Sequence, residues 1–208
     1  MIISLLLTNP LMFFAWAISM IIAITVHEFS HALAGTLLGD QTAKMQGRLT
    51  LNPLSHMDIW GTLLMLFVGF GWGKPVPFNP YNLKNQRIGP VIVAMAGPFS
   101  NLVMVVIFVL LLKFVYPLTG LGEGNALFDF LYTLILINTL LLSFNIIPIP
   151  PLDGSRVLFA LLPSSAENIK MFLDKYGFFI LIGLLLVGGS LFSRYFYWVI
   201  GIVDKFLA

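Results

Sequence analysis

Apolar residues in this chain fall into a few long runs separated by short polar connections. Residues 11–38, 88–115 and 128–147 are each long enough to cross about 30 Å of hydrocarbon as a helix. A last run starts at Tyr176, passes Gly188-Gly189 and continues towards Trp198, and the two glycines mark a place where it can break. Asp58–Gly73 is apolar too, but its 16 residues sit near or below the length a spanning helix needs. Met1–Asn9 is apolar and brief, and Pro10 follows it, which predicts an interfacial or partly inserted lead-in. In the first polar connection Gly47-Arg48-Leu49-Thr50-Leu51-Asn52 alternates apolar with polar, the period of a short strand, and Pro53 stops it. Lys74–Pro80 is extended, because Pro75, Pro77 and Pro80 cannot join a helical ladder. The expected fold is an all-α polytopic membrane protein. It has about four transmembrane helices plus a re-entrant segment with short β-strands, all in one membrane-embedded domain over residues 1–208.

Composition agrees with that layout. Of the 208 residues 59% are hydrophobic and 10% charged, against about 25% charged in ordinary soluble domains. That length fits one embedded domain without a separate soluble module. The net charge of +2 and the lack of a basic patch interleaved with aromatics exclude nucleic acid as a partner class. Cysteine is absent, which removes disulfides and thiolate metal sites. Ala15-Trp16-Ala17 mimics a signal-peptidase site, but no basic segment precedes it and the apolar run continues past it. A retained membrane segment is expected. Gly35 and Gly39 are spaced for close packing between helices, and Tyr195-Phe196-Tyr197-Trp198 reads as an interfacial anchor.

The chemistry is concentrated in the first run. Between Leu11 and Leu38 the only ionisable side chains are His27, Glu28 and His31. Each charge near a bilayer's centre costs roughly 2.5–3.5 kcal/mol, so something must offset them. Positions i and i+4 share a helix face, so His27 and His31 can both turn imidazole nitrogens to one metal ion. Glu28 lies beside it, placed to act as a general base. This is the His-Glu-x-x-His spacing of zinc peptidases. A helix ending near Gly39-Asp40 puts the two histidines roughly 13–20 Å below the surface at 1.5 Å per residue.

A catalytic zinc site takes three protein ligands and leaves a position open. The candidates for the third are His56, Asp153 and the other carboxylates. Asp40, Glu123, Glu167, Asp174 and Asp204 sit among loop-like residues, and His56, with Asp58 close by, reads as a loop residue or a group behind the ligands. Asp153 differs, because Pro148, Pro150 and Pro151 unwind the chain before it, and non-helical backbone at membrane depth is tolerated where it lines a cavity. Its competing role is a helix N-cap or an Asp-Gly turn. Topology bears on this choice. If Asp58–Gly73 crosses the membrane, Asp153 ends up on the opposite side from the histidines; if it dips in and returns, all three share a side. With the re-entrant stretch, Lys44, Arg48, Lys74, Lys84, Arg87, Arg156, Lys170 and Lys175 lie on one side and Lys113, Arg194 and Lys205 on the other, 8 against 3. With a full crossing the split is 5 against 6. The positive-inside tendency favours the first, with the site opening to the cytosol.

At this point the chain resembles the site-2 proteases, the intramembrane zinc metalloproteases, in their compact form without PDZ or CBS domains. The likeness rests on His27-Glu28-Phe29-Ser30-His31, Gly97-Pro98-Phe99-Ser100-Asn101 and Asn145 through Asp153-Gly154. The stretches Gly47 to Pro53 and Gly73-Lys74-Pro75-Val76-Pro77 add to it. The resemblance implies Zn2+ held by His27, His31 and Asp153, with Glu28 as base and Asn145 hydrogen-bonding the substrate or the oxyanion. It also implies a transmembrane protein as substrate, reached within the lipid bilayer of a prokaryotic cell membrane. None of these positions is lost. Asn101 is assigned to packing or helix bridging. A hidden helical substrate must be met unwound, and Gly47–Asn52 or Lys74–Phe78 is the expected edge for pairing it. Competing classes are a metal or proton transporter and a catalytically silent binder of membrane helices. A transporter needs polar residues through the full membrane depth, whereas here they gather on one side. Oligomeric state and substrate identity are not written in the sequence.

Overall fold

The computed structural model describes residues 2–68, 71–122 and 124–207; Glu123, counted above among the loop carboxylates, lies outside them. The chain opens with α1 (Ile2–Thr8). Asn9 then caps α2 (Pro10–Leu37), its side chain accepting from the Met12 N–H at 3.1 Å, with Pro10 in the first helical turn where no donor is lost. A single turn, α3 (Thr42–Met45), follows. Next comes α4 (Ile59–Val68), whose 10 residues cover only about 15 Å. α5 (Gly89–Leu110) and α6 (Ala126–Asn145) are long, and Asn125 caps the second of them. After α6 the proline-rich tail leads into α7 (Gly154–Leu161), α8 (Glu167–Val187) and α9 (Gly189–Leu207).

Helices α2, α5 and α6 form the core, and their sequences explain why. On α2, Ala15, Ser19, Ala23, His27, His31 and Gly35 recur every fourth residue and are all buried. On α5, Gly89, Val93, Gly97, Asn101 and Val105 do the same. Small side chains on these stripes let the backbones come close, which is how helices associate when lipid is the solvent. The large apolar residues point outward: Phe14, Ile18 and Leu37 on α2, and Phe99, Val106 and Leu110 on α5, are exposed. Apolar residues fill part of the interior too, with Leu134, Ile135 and Ile137 of α6 buried, but the large apolar surface turned outward is the arrangement of an integral membrane protein. Three helical stretches, Pro10–Leu37, Gly89–Thr119 and Ala126–Asn145, are long and apolar enough to span. α8 and α9 qualify together, bent by 86° at Gly188, so the expected last run is two helices broken where the glycines stand.

Asp58–Gly73 behaves as a hairpin. Met57 and Gly73 form an antiparallel bridge, and the Lys74 N–H donates to the His56 carbonyl at 2.8 Å. The chain that leaves through α4 therefore returns to its starting point. The expected short strands are not found among the described residues. Gly47–Asn52 has no partner strand among the described residues, and the alternation does not carry into burial: Arg48 is buried, Leu49 and Thr50 are half-buried, and Leu51 is 60% exposed. Hydrogen bonds of the Arg48 guanidinium to carbonyls explain why a charged residue is the buried one.

Asp40 ties this hairpin side to the end of α2. It accepts from the Thr42 hydroxyl (2.5 Å) and the Asn82 amide (3.0 Å) on one oxygen, and from the Asn79 N–H (2.6 Å) on the other. Burial alone pushes its pKa up, but these donors outweigh it and hold the carboxyl below the ordinary carboxylate range.

Candidate metal centre

α2 brings His27 and His31 to one face, and both are buried where α5 and α6 pack on it. Each ring is fixed by its Nδ1. His31 Nδ1 lies 2.7 Å from the Val93 carbonyl of α5, an acceptor only, so that nitrogen carries the hydrogen. His27 Nδ1 lies 2.6 Å from Asn101 Oδ1. The direction of that bond follows from a chain read backwards from a carbonyl. Asn138 Nδ2 donates to the Leu134 C=O of its own helix at 2.8 Å, and Asn138 Oδ1 accepts from Asn101 Nδ2 at 2.8 Å. Asn101 Oδ1 is left to accept from His27. Both Nε2 atoms are thus bare lone pairs.

Those lone pairs meet a third acceptor. After α6 the tail folds back so tightly that a Cβ on Gly154 would lie 2.1 Å from the Ile146 carbonyl oxygen, and Gly177 of α8 packs on Pro150. This carries Asp153 to the histidines. It occupies the N-cap position of α7 but makes no side-chain cap bond. Its Oδ2 is instead 3.2 Å from His27 Nε2 and 3.4 Å from His31 Nε2, and the two Nε2 atoms are 3.0 Å apart. Oδ2 is buried with no hydrogen-bond partner. Three acceptors facing one another with no donor between them call for a cation. Ligands about 2.0–2.1 Å from a tetrahedral zinc stand about 3.3 Å from each other, which matches the observed separations. Gly97 leaves the space: a Cβ there would lie 2.4 Å from His31 Nε2 and 2.6 Å from His27 Nε2. The donor set and the space around it fit zinc. Among the described residues His27, His31 and Asp153 are the one group of three ligand-type side chains that converges in this way.

Glu28 is half-buried one position along α2, and its Oε2 accepts from the Val76 N–H at 3.1 Å. The returning arm of the hairpin supplies that contact. Gly73 packs against Ile24 and Glu28, where a Cβ would come within 3.1 Å and 3.8 Å of their side chains. The Asn145 amide donates to the Leu141 carbonyl of its own helix at 3.0 Å. His56 is fully buried but outside the three-ligand group, with Nε2 donating to the Thr50 carbonyl at 2.8 Å. Asn101 does bridge helices, and it also orients His27. Asn138, the Val93 carbonyl and the Val76 N–H were not singled out by the sequence. The detectable signal for Asn138 was a polar amide inside the apolar run 128–147.

Fold and donor set together define an integral membrane protein built around a candidate metal centre. A family model described as peptidase family M50 matches residues 120–187, a stretch that holds Asn145 and Asp153. A Bacillus subtilis (strain 168) protein named "Putative zinc metalloprotease YwhC" is 40% identical over 170 residues, 80% of this chain and 78% of its own. The protein named "Putative zinc metalloprotease Rip2" from Mycolicibacterium smegmatis is 29% identical over 175 residues, 80% of this chain and 64% of its own. Its namesake in Mycobacterium tuberculosis (strain ATCC 25618 / H37Rv) is 30% identical over 146 residues, 66% of this chain and 53% of its own. No solved structure matches. The chain belongs to peptidase family M50, the site-2 protease family. It is a zinc metalloprotease acting on protein, and the enzyme reading prevails over the transporter and the silent binder.

Proposed function

We propose that this protein is an intramembrane endopeptidase that cuts transmembrane protein substrates, with zinc held by His27, His31 and Asp153. The observation that carries the proposal is the meeting of two bare Nε2 atoms and an unpartnered carboxylate oxygen inside a lipid-facing helix bundle. Bound zinc supplies Lewis acidity, polarising a carbonyl and acidifying water at an open position. Glu28 takes the proton of the attacking water and delivers it to the leaving amine. Its Oε2 is held by the Val76 N–H, which leaves the other oxygen for that work. The Asn145 amide is the proposed donor to the oxyanion; reaching it requires a turn away from the Leu141 carbonyl.

The hairpin 58–72 is proposed to dip into the membrane and return, which keeps His27, His31 and Asp153 on the cytosolic side of a prokaryotic cell membrane. The Met57–Gly73 bridge supports this, because the stretch enters and leaves at one point. For pairing an unwound substrate strand, Leu49–Leu51 is the better edge. The main-chain groups of Leu49 and Leu51 make no hydrogen bond among the described residues. At Lys74–Val76, by contrast, they are engaged by His56, Arg48 and Glu28.

The test is Glu28→Gln in proteoliposomes with a panel of single-span substrates. Wild type is expected to cleave inside the span, and the variant to bind one zinc per chain and leave every substrate intact. Wild-type protein loaded with zinc that is no more active than the variant overturns the reading.

A further inference from the structure

Arg48 is buried, with 6% of its surface exposed, and no carboxylate among the described residues lies within ion-pair distance of it. An unpaired guanidinium at such a position is costly, so what it touches matters. Its Nη2 donates to the Lys74 carbonyl at 2.5 Å and its Nη1 to the Pro75 carbonyl at 3.2 Å. The Pro75 carbonyl and the Val76 N–H belong to the same planar peptide unit. The oxygen of that unit is held by Arg48, and its hydrogen points to Glu28 Oε2 at 3.1 Å. Pro75 and Pro77 have no N–H, so Val76 is the one main-chain donor among these three residues.

We infer that Arg48 is a positioning residue for the general base, acting through the Pro75–Val76 peptide. This rests on the assignment of Glu28 as the base. A peptide plane can rotate about its flanking bonds; fixing its oxygen with a charged donor fixes its N–H as well. Charge-assisted bonds are about twice as strong as neutral ones, and the planar fork of arginine suits two successive carbonyls better than a lysine ammonium does. The neighbouring Lys74 N–H is anchored to the His56 carbonyl, and His56 to the Thr50 carbonyl, so the whole arm is braced from behind. Arg48 touches neither zinc ligand nor the carboxylate itself.

Two variants approach the same bond from opposite ends. Arg48→Met removes the anchor. Val76→Pro removes the N–H and puts a ring methylene in its place, in an extended segment already flanked by prolines, so Glu28 both loses its donor and is pushed from its position. Each is expected to keep one zinc per chain and a KM within about twofold of wild type. Their kcat is expected to fall roughly 10–100-fold, the usual effect of losing a partner behind a catalytic group. Arg48→Lys, which keeps the charge and can reach one carbonyl, recovers part of the loss. The double variant is no worse than the poorer single one, because both act on one peptide. Unchanged kcat in Val76→Pro, a loss that appears in KM or zinc content, or additive losses in the double variant overturn the inference. Glu28→Gln in the same assay separates the two levels. If it is inactive while Val76→Pro is fully active, only the positioning role fails; if it is active, the assignment of the base fails.

Discussion

Adding one methyl group at Gly97 tests the metal centre without substituting a proposed ligand. A Cβ there would sit 2.4 Å from His31 Nε2 and 2.6 Å from both Cε1 and Nε2 of His27. Real Cβ atoms essentially never come within 3.0 Å of a heavy atom, and ordinary contact begins at 3.4 Å. In Gly97→Ala the rings or α5 must therefore give way by at least about 0.6 Å, and by about 1 Å for relaxed contact. A zinc site tolerates about ±0.2 Å in its ligand distances. The rings cannot simply turn aside, since Nδ1 of each is bonded to Asn101 or Val93. Alanine is a better helix former than glycine by about 1 kcal/mol, so α5 itself is not weakened. Zinc affinity is expected to fall at least 100-fold, about 2.7 kcal/mol, with the fold retained. The assay is metal content per purified chain and competition against a calibrated chelator, with helicity and melting temperature followed in parallel. A Gly97→Ala protein holding one zinc with wild-type affinity would refute the claim that the space beside Gly97 is the ion's seat.

Asn101→Ala removes the acceptor that orients His27 and is expected to weaken zinc binding about 10–100-fold; Asn138→Ala, one bond further back, weakens it less. Chelator competition on both reads this, and equal affinities for wild type and Asn101→Ala contradict it. Asp40→Asn leaves one acceptor oxygen for donors that now use two, and it should cost about 1–3 kcal/mol, read as a lower melting temperature. The native carboxyl titrates below its unfolded value of about 3.9. Its contribution is therefore complete above that pH and is lost as pH falls through the native value. Wild type and Asp40→Asn should converge in stability only in that acid range; a constant gap down to the lowest pH at which the fold survives speaks against it.

Much of the site was legible because charge inside an apolar run is costly and therefore conspicuous. His27, Glu28 and His31 needed only a helical repeat, and Asp153 needed the parity of crossings in addition. Gly47–Asn52 was misread for a definite reason. Alternation signals a strand only when one face packs on a core and an edge pairs with a neighbouring strand, and here a buried guanidinium serving two carbonyls broke the pattern. Asn101 is in phase with the buried stripe of α5, but its pairing with Asn138 was not legible, since a bond between helices depends on rotation about two axes that the sequence does not display. Asn145 stands on the right helix, but its amide faces its own backbone, and that choice of rotamer is not encoded in spacing.

The Nδ1 bonds of His27 and His31 have a consequence for how the enzyme is assembled. They are supplied by α5 and by the amide chain reaching α6, so the imidazoles are aimed by helix packing alone. On that arrangement a molecule stripped by a chelator is expected to keep its bundle and to accept a fresh ion without refolding, which helicity and metal content measured before and after stripping would read.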